Sequence, residues 1–144
     1  MRSRTFRALL LLAPLAAGCG GDNSNNTPTG PTPEAVTETI SSSETNPATP
    51  LNPNGGRTHP FRVQQAGRVT ATLTALSPDD TRTVGLSLGT WNGQVCQILL
   101  ANDAAKVNVV VTGNAQQTGD FCVRIYDIGD LTASTDYTIV VTHF

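Results

Sequence analysis

Two cysteines, Cys96 and Cys122, each sit inside a run of strand character: Gln94-Val95-Cys96-Gln97-Ile98-Leu99-Leu100 and Asp120-Phe121-Cys122-Val123-Arg124-Ile125-Tyr126. In the second run Phe121, Val123 and Ile125 alternate with more polar neighbours, the period of two expected of a strand with one buried face. A bridge between the two would join strands separated in sequence by a further strand and two loops. Few folds satisfy that link together with the pattern around it, which is one of short alternating runs.

The clearest run is Arg68–Leu76, where Val69, Ala71, Leu73 and Ala75 alternate with Thr70, Thr72 and Thr74. That predicts an apolar inner face and a solvated threonine face, as in an antiparallel sheet. Other runs follow the same rule. Residues 35–42 form a candidate first strand, and His59–Gln64 places Phe61 and Val63 together. Val84, Leu86 and Leu88 mark a strand that ends in a loop Gly89-Thr90-Trp91-Asn92-Gly93. The Cys96 strand is expected to stop near Ala101 and turn at Asn102-Asp103. Val107, Val109 and Val111 predict a strand closing at Gly113, and Tyr137, Ile139 and Val141 the last one. Turn signals separate them: Asn54-Gly55-Gly56, Ser77-Pro78-Asp79-Asp80, Asn114–Gly119 and Asp127-Ile128-Gly129-Asp130. No segment carries a helical period. The expectation is an all-β domain over 35–144: an antiparallel β-sandwich of seven to eight strands, jelly-roll-like or Greek-key-like.

The N-terminal part has another character. Arg2, Arg4 and Arg7 precede an apolar run of about ten residues, Ala8–Ala17, far short of the about 20 that span a bilayer. Leu15-Ala16-Ala17-Gly18-Cys19 then resembles a bacterial lipobox, with Ala16 where a leucine is usual. The resemblance implies a lipoprotein signal peptide over 1–18 and a lipidated Cys19. It also implies stable anchoring, since two or more acyl chains hold where one is marginal. Gly20 follows, where an aspartate would signal inner-membrane retention, so outer-membrane delivery is expected. Residues 19–34 carry the lipid and a tether of polar and proline residues with almost no apolar side chain. As a flexible coil, its roughly 14 residues beyond the cysteine would reach about 20 Å. With Cys19 assigned to the lipid, Cys96 and Cys122 remain as an even pair. An exported chain in an oxidising compartment favours their bridge.

The segments beginning at His59-Pro60-Phe61 and running through AGRVTATLTALSPD, VGLSLGTWNG, FCVRIYDIG and YTIVVTHF also resemble the bacterial pre-peptidase C-terminal (PPC-like) domains. These are β-sandwiches of exported bacterial proteins, often appended to secreted peptidases. The resemblance implies a sandwich fold and carries no catalytic motif. The acidic Ca²⁺-binding segment of some relatives is not matched.

A nucleophile elbow Gly-x-Ser-x-Gly is absent, and the two histidines, His59 and His143, stand near strand ends. Asp79-Asp80 and the Asp127/Asp130 pair fall in turns, where aspartate is favoured for local hydrogen bonds. No EF-hand spacing and no zinc set is present. The expectation is therefore no catalytic residue, no metal ligand and no cofactor. Removal of the leader leaves six basic residues against eleven acidic ones, a net charge of −5 with no basic stripe, which argues against nucleic acid. The function expected is a non-catalytic lipoprotein of the outer membrane, displaying a binding or adhesion module to an envelope polysaccharide or protein. Alternatives are a structural envelope component partnering another protein and, last, an accessory domain of a secreted enzyme. Trp91, the only tryptophan, and Asn92 are the candidate ligand-binding residues, with Gln94 beside them. An indole offers a broad apolar face and one N–H donor, suited to a sugar ring or a protein contact. The other expectation for Trp91 is a lid closing the sandwich end near the disulfide.

Overall fold

A computed structural model describes residues 32–44 and 48–144. The expected signal segment, Cys19 and the expected tether up to residue 31 lie outside the described residues. Eight strands follow one another: β1 Val36–Ser41, β2 Gly56–Val63, β3 Gly67–Ser77, β4 Val84–Trp91, β5 Cys96–Ala105, β6 Val110–Ala115, β7 Gly119–Asp127 and β8 Asp136–His143. They form two four-stranded sheets, in the orders β1-β8-β3-β6 and β2-β7-β4-β5, antiparallel throughout. The pairs β1–β8, β2–β7, β3–β6 and β4–β5 are those of one long hairpin with its tip at the β4–β5 turn. Rolled up, that hairpin brings β8 against β3 and β7 against β4, which is the jelly-roll form of the sandwich.

Alternation decides which side chains meet between the sheets. Val69, Ala71 and Leu73 from β3, Leu86 and Leu88 from β4, Val123 and Ile125 from β7, and Ile139 and Val141 from β8 are all buried in one core. The threonine face is also present, and its register crosses the whole sheet. Thr37 pairs with Thr142, Thr142 with Thr70, and Thr70 with Thr112. Cross-strand threonine pairs of this kind stabilise a solvated sheet face.

Strand ends depart from expectation wherever a bulge or a turn residue intervenes. Register shifts in β3 between Leu73 and Ala75, so Leu76 enters the core and Ala75 is exposed. β4 does not stop at Leu88 but continues through Gly89, Thr90 and Trp91. β5 runs straight through Asn102-Asp103 to Ala105, because an irregularity opposite Val84–Leu86 absorbs the extra residue. Within it the Asn102 side-chain oxygen accepts from the Ala104 N–H, a turn-type bond kept inside the strand. Val107 and Val109 precede β6 rather than opening it. Asn108 between them takes a positive φ of 73°, in a turn where the Val109 N–H donates to the Lys106 carbonyl.

Both histidines reach into the domain and find partners there. His59 Nε2 lies 2.7 Å from the Tyr137 hydroxyl. Burial, aided by the Arg57 charge, lowers the His59 pKa and favours the neutral ring. Burial likewise pushes the Tyr137 phenol up to about 12. His143 stacks on Phe61 at 5.4 Å between ring centres, and its Nε2 is 3.1 Å from Glu38 Oε1. Both histidines are thus held by structural partners.

Candidate functional site

The outer face of the β2-β7-β4-β5 sheet follows from the inner one. With Phe121, Val123 and Ile125 inward, Asp120, Cys122, Arg124 and Tyr126 of β7 must point outward. Pairing sets their neighbours: Arg62 opposite Asp120, Pro60 opposite Cys122 and Gly56 opposite Tyr126 on β2. On β4 the partners are Gly89 for Cys122, Ser87 for Arg124 and Gly85 for Tyr126. The outward residues of β4 are therefore Gly, Ser and Gly until Trp91, and larger groups lie across this low strip.

Two things occupy it. Cys96 and Cys122 form the expected disulfide. Their strands are not neighbours, since β4 runs between them. Flat strands two apart would stand roughly 9–10 Å from each other, yet the two Cα atoms are 5.8 Å apart. The start of β5 therefore folds over β4, and Gly89 is where it crosses. A Cβ on Gly89 would lie 2.2 Å from the Gln97 carbonyl oxygen. The second occupant is the Tyr126 ring, which covers Gly85 so closely that a Cβ there would meet it at 2.1 Å.

On one side of the disulfide is a recess of about 590 Å³ lined by Trp91, Arg62, Asp120, Pro60, Asn92 and Gly93. Trp91 ends β4, paired with Cys96, and is half-buried. It belongs to a strand rather than to the loop expected for it, because β4 stays paired up to the β4–β5 turn. It stands beside the disulfide, as the lid reading requires, and also lines an open recess. Arg62 Nη1 lies 2.8 Å from Asp120 Oδ1, in a pair whose side chains are 61% and 52% exposed. An ion pair so open adds little stability, but it places a guanidinium and a carboxylate in the same recess as the indole. Asn92 is less free than its sequence suggests. Its side-chain oxygen accepts from the N–H groups of Gln94 and Val95, at 2.9 and 2.7 Å, and shapes the turn.

On the other side lies a recess of about 510 Å³ lined by Ile98, Asp103, Arg124, Tyr126, Asp127 and Ile128. The Tyr126 hydroxyl donates to Asp103 Oδ1. Burial and then that carboxylate push its pKa up to about 12, so the phenol keeps its proton at neutral pH. The Arg124 guanidinium sits 5.7 Å from the Tyr126 ring centre. Its Nε is buried without a hydrogen-bond partner among the described residues. Sequence reasoning passed over this recess. Counting outward from Phe121-Val123-Ile125 would have placed Arg124 and Tyr126 on the face of Cys122; the sheet register was needed to bring Asp103 and Ile98 to them.

The turn aspartates behave as expected. Asp79 accepts from the Thr81 hydroxyl and N–H and from Arg82, which lowers its pKa. Burial alone would raise the Asp127 carboxyl; N–H donors from Asn54, Leu131, Gly129 and Asp130 hold it below the ordinary value. Asp130 accepts from the Thr83 N–H. These carboxylates brace loops, and no cluster of three or more metal-ligating side chains occurs among the described residues.

No family model and no curated protein matches this chain. Among solved structures it is similar to the Yersinia pseudotuberculosis-derived mitogen, at a TM-score of 0.50 and 13% identity, covering 78% of this chain and 88% of that one. That likeness is one of fold. The periplasmic g-type lysozyme inhibitor PliG of Aeromonas hydrophila follows at 0.49 and 8% identity, over 76% and 84%. A low-affinity xylan-binding module, CBM86, of Roseburia intestinalis gives 0.45 and 11%, over 74% and 93%.

Proposed function

We propose that this chain is a non-catalytic envelope lipoprotein whose sandwich binds a ligand on the outer face of the β2-β7-β4-β5 sheet. One observation carries the binding reading: Trp91 lines an open recess together with a paired guanidinium and carboxylate, Arg62 and Asp120. An aromatic face with a donor and an acceptor at its side is a recognition device. Both histidines, in contrast, are tied to structural partners, and the turn aspartates to backbone N–H groups. The resemblance of the strand run to PPC-like domains belongs to the same proposal, as that of a displayed module.

Trp91→Ala should leave most of the stability in place, with a loss of ~2 kcal/mol or less because the indole is only half-buried. It should weaken retention on isolated cell-wall polysaccharide at least ~30-fold, the size of a binding hot spot. Affinity electrophoresis with a parallel melting curve reads both. An early-melting variant with unchanged retention would make Trp91 a lid and end the proposal.

The anchor is the second part of the reading and rests on Met1–Cys19. Cys19→Ala should move the protein from the membrane pellet to the soluble fraction when cells are fractionated. Persistence of that variant in the pellet at the parent's level would refute anchoring.

One observation favours a protein partner instead. β5 is a sheet edge, and Ile98, Leu99 and Leu100 on it are exposed, Leu99 at 67%, with exposed Val95 just before it. Edge strands of this composition accept an added strand. Under that reading Trp91→Ala leaves partner capture intact, whereas Leu99→Lys abolishes it.

A further inference from the structure

The two recesses repeat one chemistry. Trp91, Arg62 and Asp120 provide an apolar face, a guanidinium and a carboxylate at one end of the outer face. At the other, Tyr126 with Ile98 and Ile128, Arg124, and Asp103 provide the same three functions. Ile98 and Ile128 are 44% and 43% exposed, so their apolar surface is available. Tyr126 lies over Gly85, six positions from Trp91 along β4. At about 3.3 Å per residue, the two recesses lie roughly 20 Å apart. The disulfide crossing stands between them.

From this repetition we infer that the face binds one neutral polysaccharide chain at two subsites, the Trp91 recess and the Arg124–Tyr126 recess. The inference rests on the proposed binding role of Trp91 and names the ligand class and the second subsite. A pyranose ring has an apolar C–H face and a rim of hydroxyls that both donate and accept. Each recess matches that with an apolar surface, a guanidinium donor and a carboxylate acceptor. The Arg124 guanidinium, held 5.7 Å from the Tyr126 ring centre, lines the second recess as its donor.

Charge selects a neutral glycan. In the first recess Arg62 and Asp120 cancel. The second is lined by one cation, Arg124, and two carboxylates, Asp103 and Asp127, so an anionic sugar would meet net negative charge. Between the two, β4 presents only Gly85, Ser87 and Gly89, and the ligand passes over what covers them, the Tyr126 ring and the β5 crossing. A ligand spanning roughly 20 Å must be a chain of several sugars, and engaging both subsites raises its apparent affinity by effective concentration.

The test uses the full chain in detergent against β-glucan, mannan and galactan, with alginate as the anionic comparator. Oligosaccharides of two to eight sugars are then cut from whichever neutral polymer binds. The parent should bind the longest oligosaccharide at least tenfold tighter than the trisaccharide. Arg124→Gln should erase that gain while leaving Trp91-dependent trisaccharide binding in place. Asp103→Asn, at the exposed edge strand, should reduce the gain without touching the core. A length gain that survives both substitutions overturns the second subsite and leaves the Trp91 reading standing. Loss of all binding in Trp91→Ala with no gain from length limits the site to one recess and also overturns it. Tighter binding of alginate, or no binding of any neutral polymer, overturns the ligand class.

Discussion

Gly89→Ala should destabilise the domain by about 3 kcal/mol or more, and Gly89→Val should prevent folding. The reason is what a Cβ would strike. At Gly89 it would lie 2.2 Å from the Gln97 carbonyl oxygen, 2.7 Å from the carbonyl carbon and 3.0 Å from the Ile98 Cα. All three are backbone atoms, so no side-chain rotation relieves the clash. β5 would have to lift from β4, and the Cys96–Cys122 bridge holds it down. Two other glycines calibrate the effect. At Gly85 the obstacle is the Tyr126 ring, 2.1 Å away, which can swing at the cost of its bond to Asp103. Gly93 has open space but a φ of +94°, so alanine there should cost only about 1 kcal/mol, the usual backbone strain. Denaturant melts of the three variants should rank Gly89→Ala as the most damaging and Gly93→Ala as the least. A Gly89→Ala protein with the parent's midpoint would show that β5 does not cross β4 as described.

How far sequence alone reaches can be judged from the same region. The inward side chains of β2, β7 and β8 follow strict alternation, so Phe61, Val63, Val123, Ile125, Tyr137, Ile139 and Val141 are where a period of two puts them. Alternation fails where one residue is inserted. At Leu73/Ala75 a bulge moves Leu76 into the core, because a single extra residue flips every later side chain to the other face. Asn102-Asp103 reads as a turn because both residues favour one. Yet the neighbouring strand keeps pairing past them, and tertiary context overrides the local preference. Val107, Val109 and Val111 share a period but not a strand, since Asn108 adopts a left-handed turn between them. The site was half-legible. Trp91 and the cysteine pair announce themselves by residue type, whereas Arg124 and Tyr126 gain meaning only from register. Their partners Asp103 and Ile98 come from a strand whose course depends on its bulges.

Removal of the disulfide should have the other large effect. The bridge closes a loop between Cys96 and Cys122, 26 positions apart. In the chain-entropy account a link over that length stabilises the fold by about 3.5 kcal/mol. For a domain of this size that corresponds to roughly 10–15 °C in melting temperature. Either Cys96→Ala or Cys122→Ala should show it, and reduction of the parent should match them. The consequences do not stop at stability. Trp91 pairs with Cys96 at the start of β5, so the bridge also fixes the wall from which the indole faces its recess. A reduced protein held well below its melting point should therefore lose polysaccharide retention before it loses its sheets. The order of events is the sharp part of the expectation: with added reductant, ligand retention falls while far-ultraviolet circular dichroism stays at its starting value. If the two signals instead decline together, the bridge supports only the fold. If a non-reducing peptide map recovers both cysteines as free thiols, the crossing of β5 over β4 must be held by packing alone.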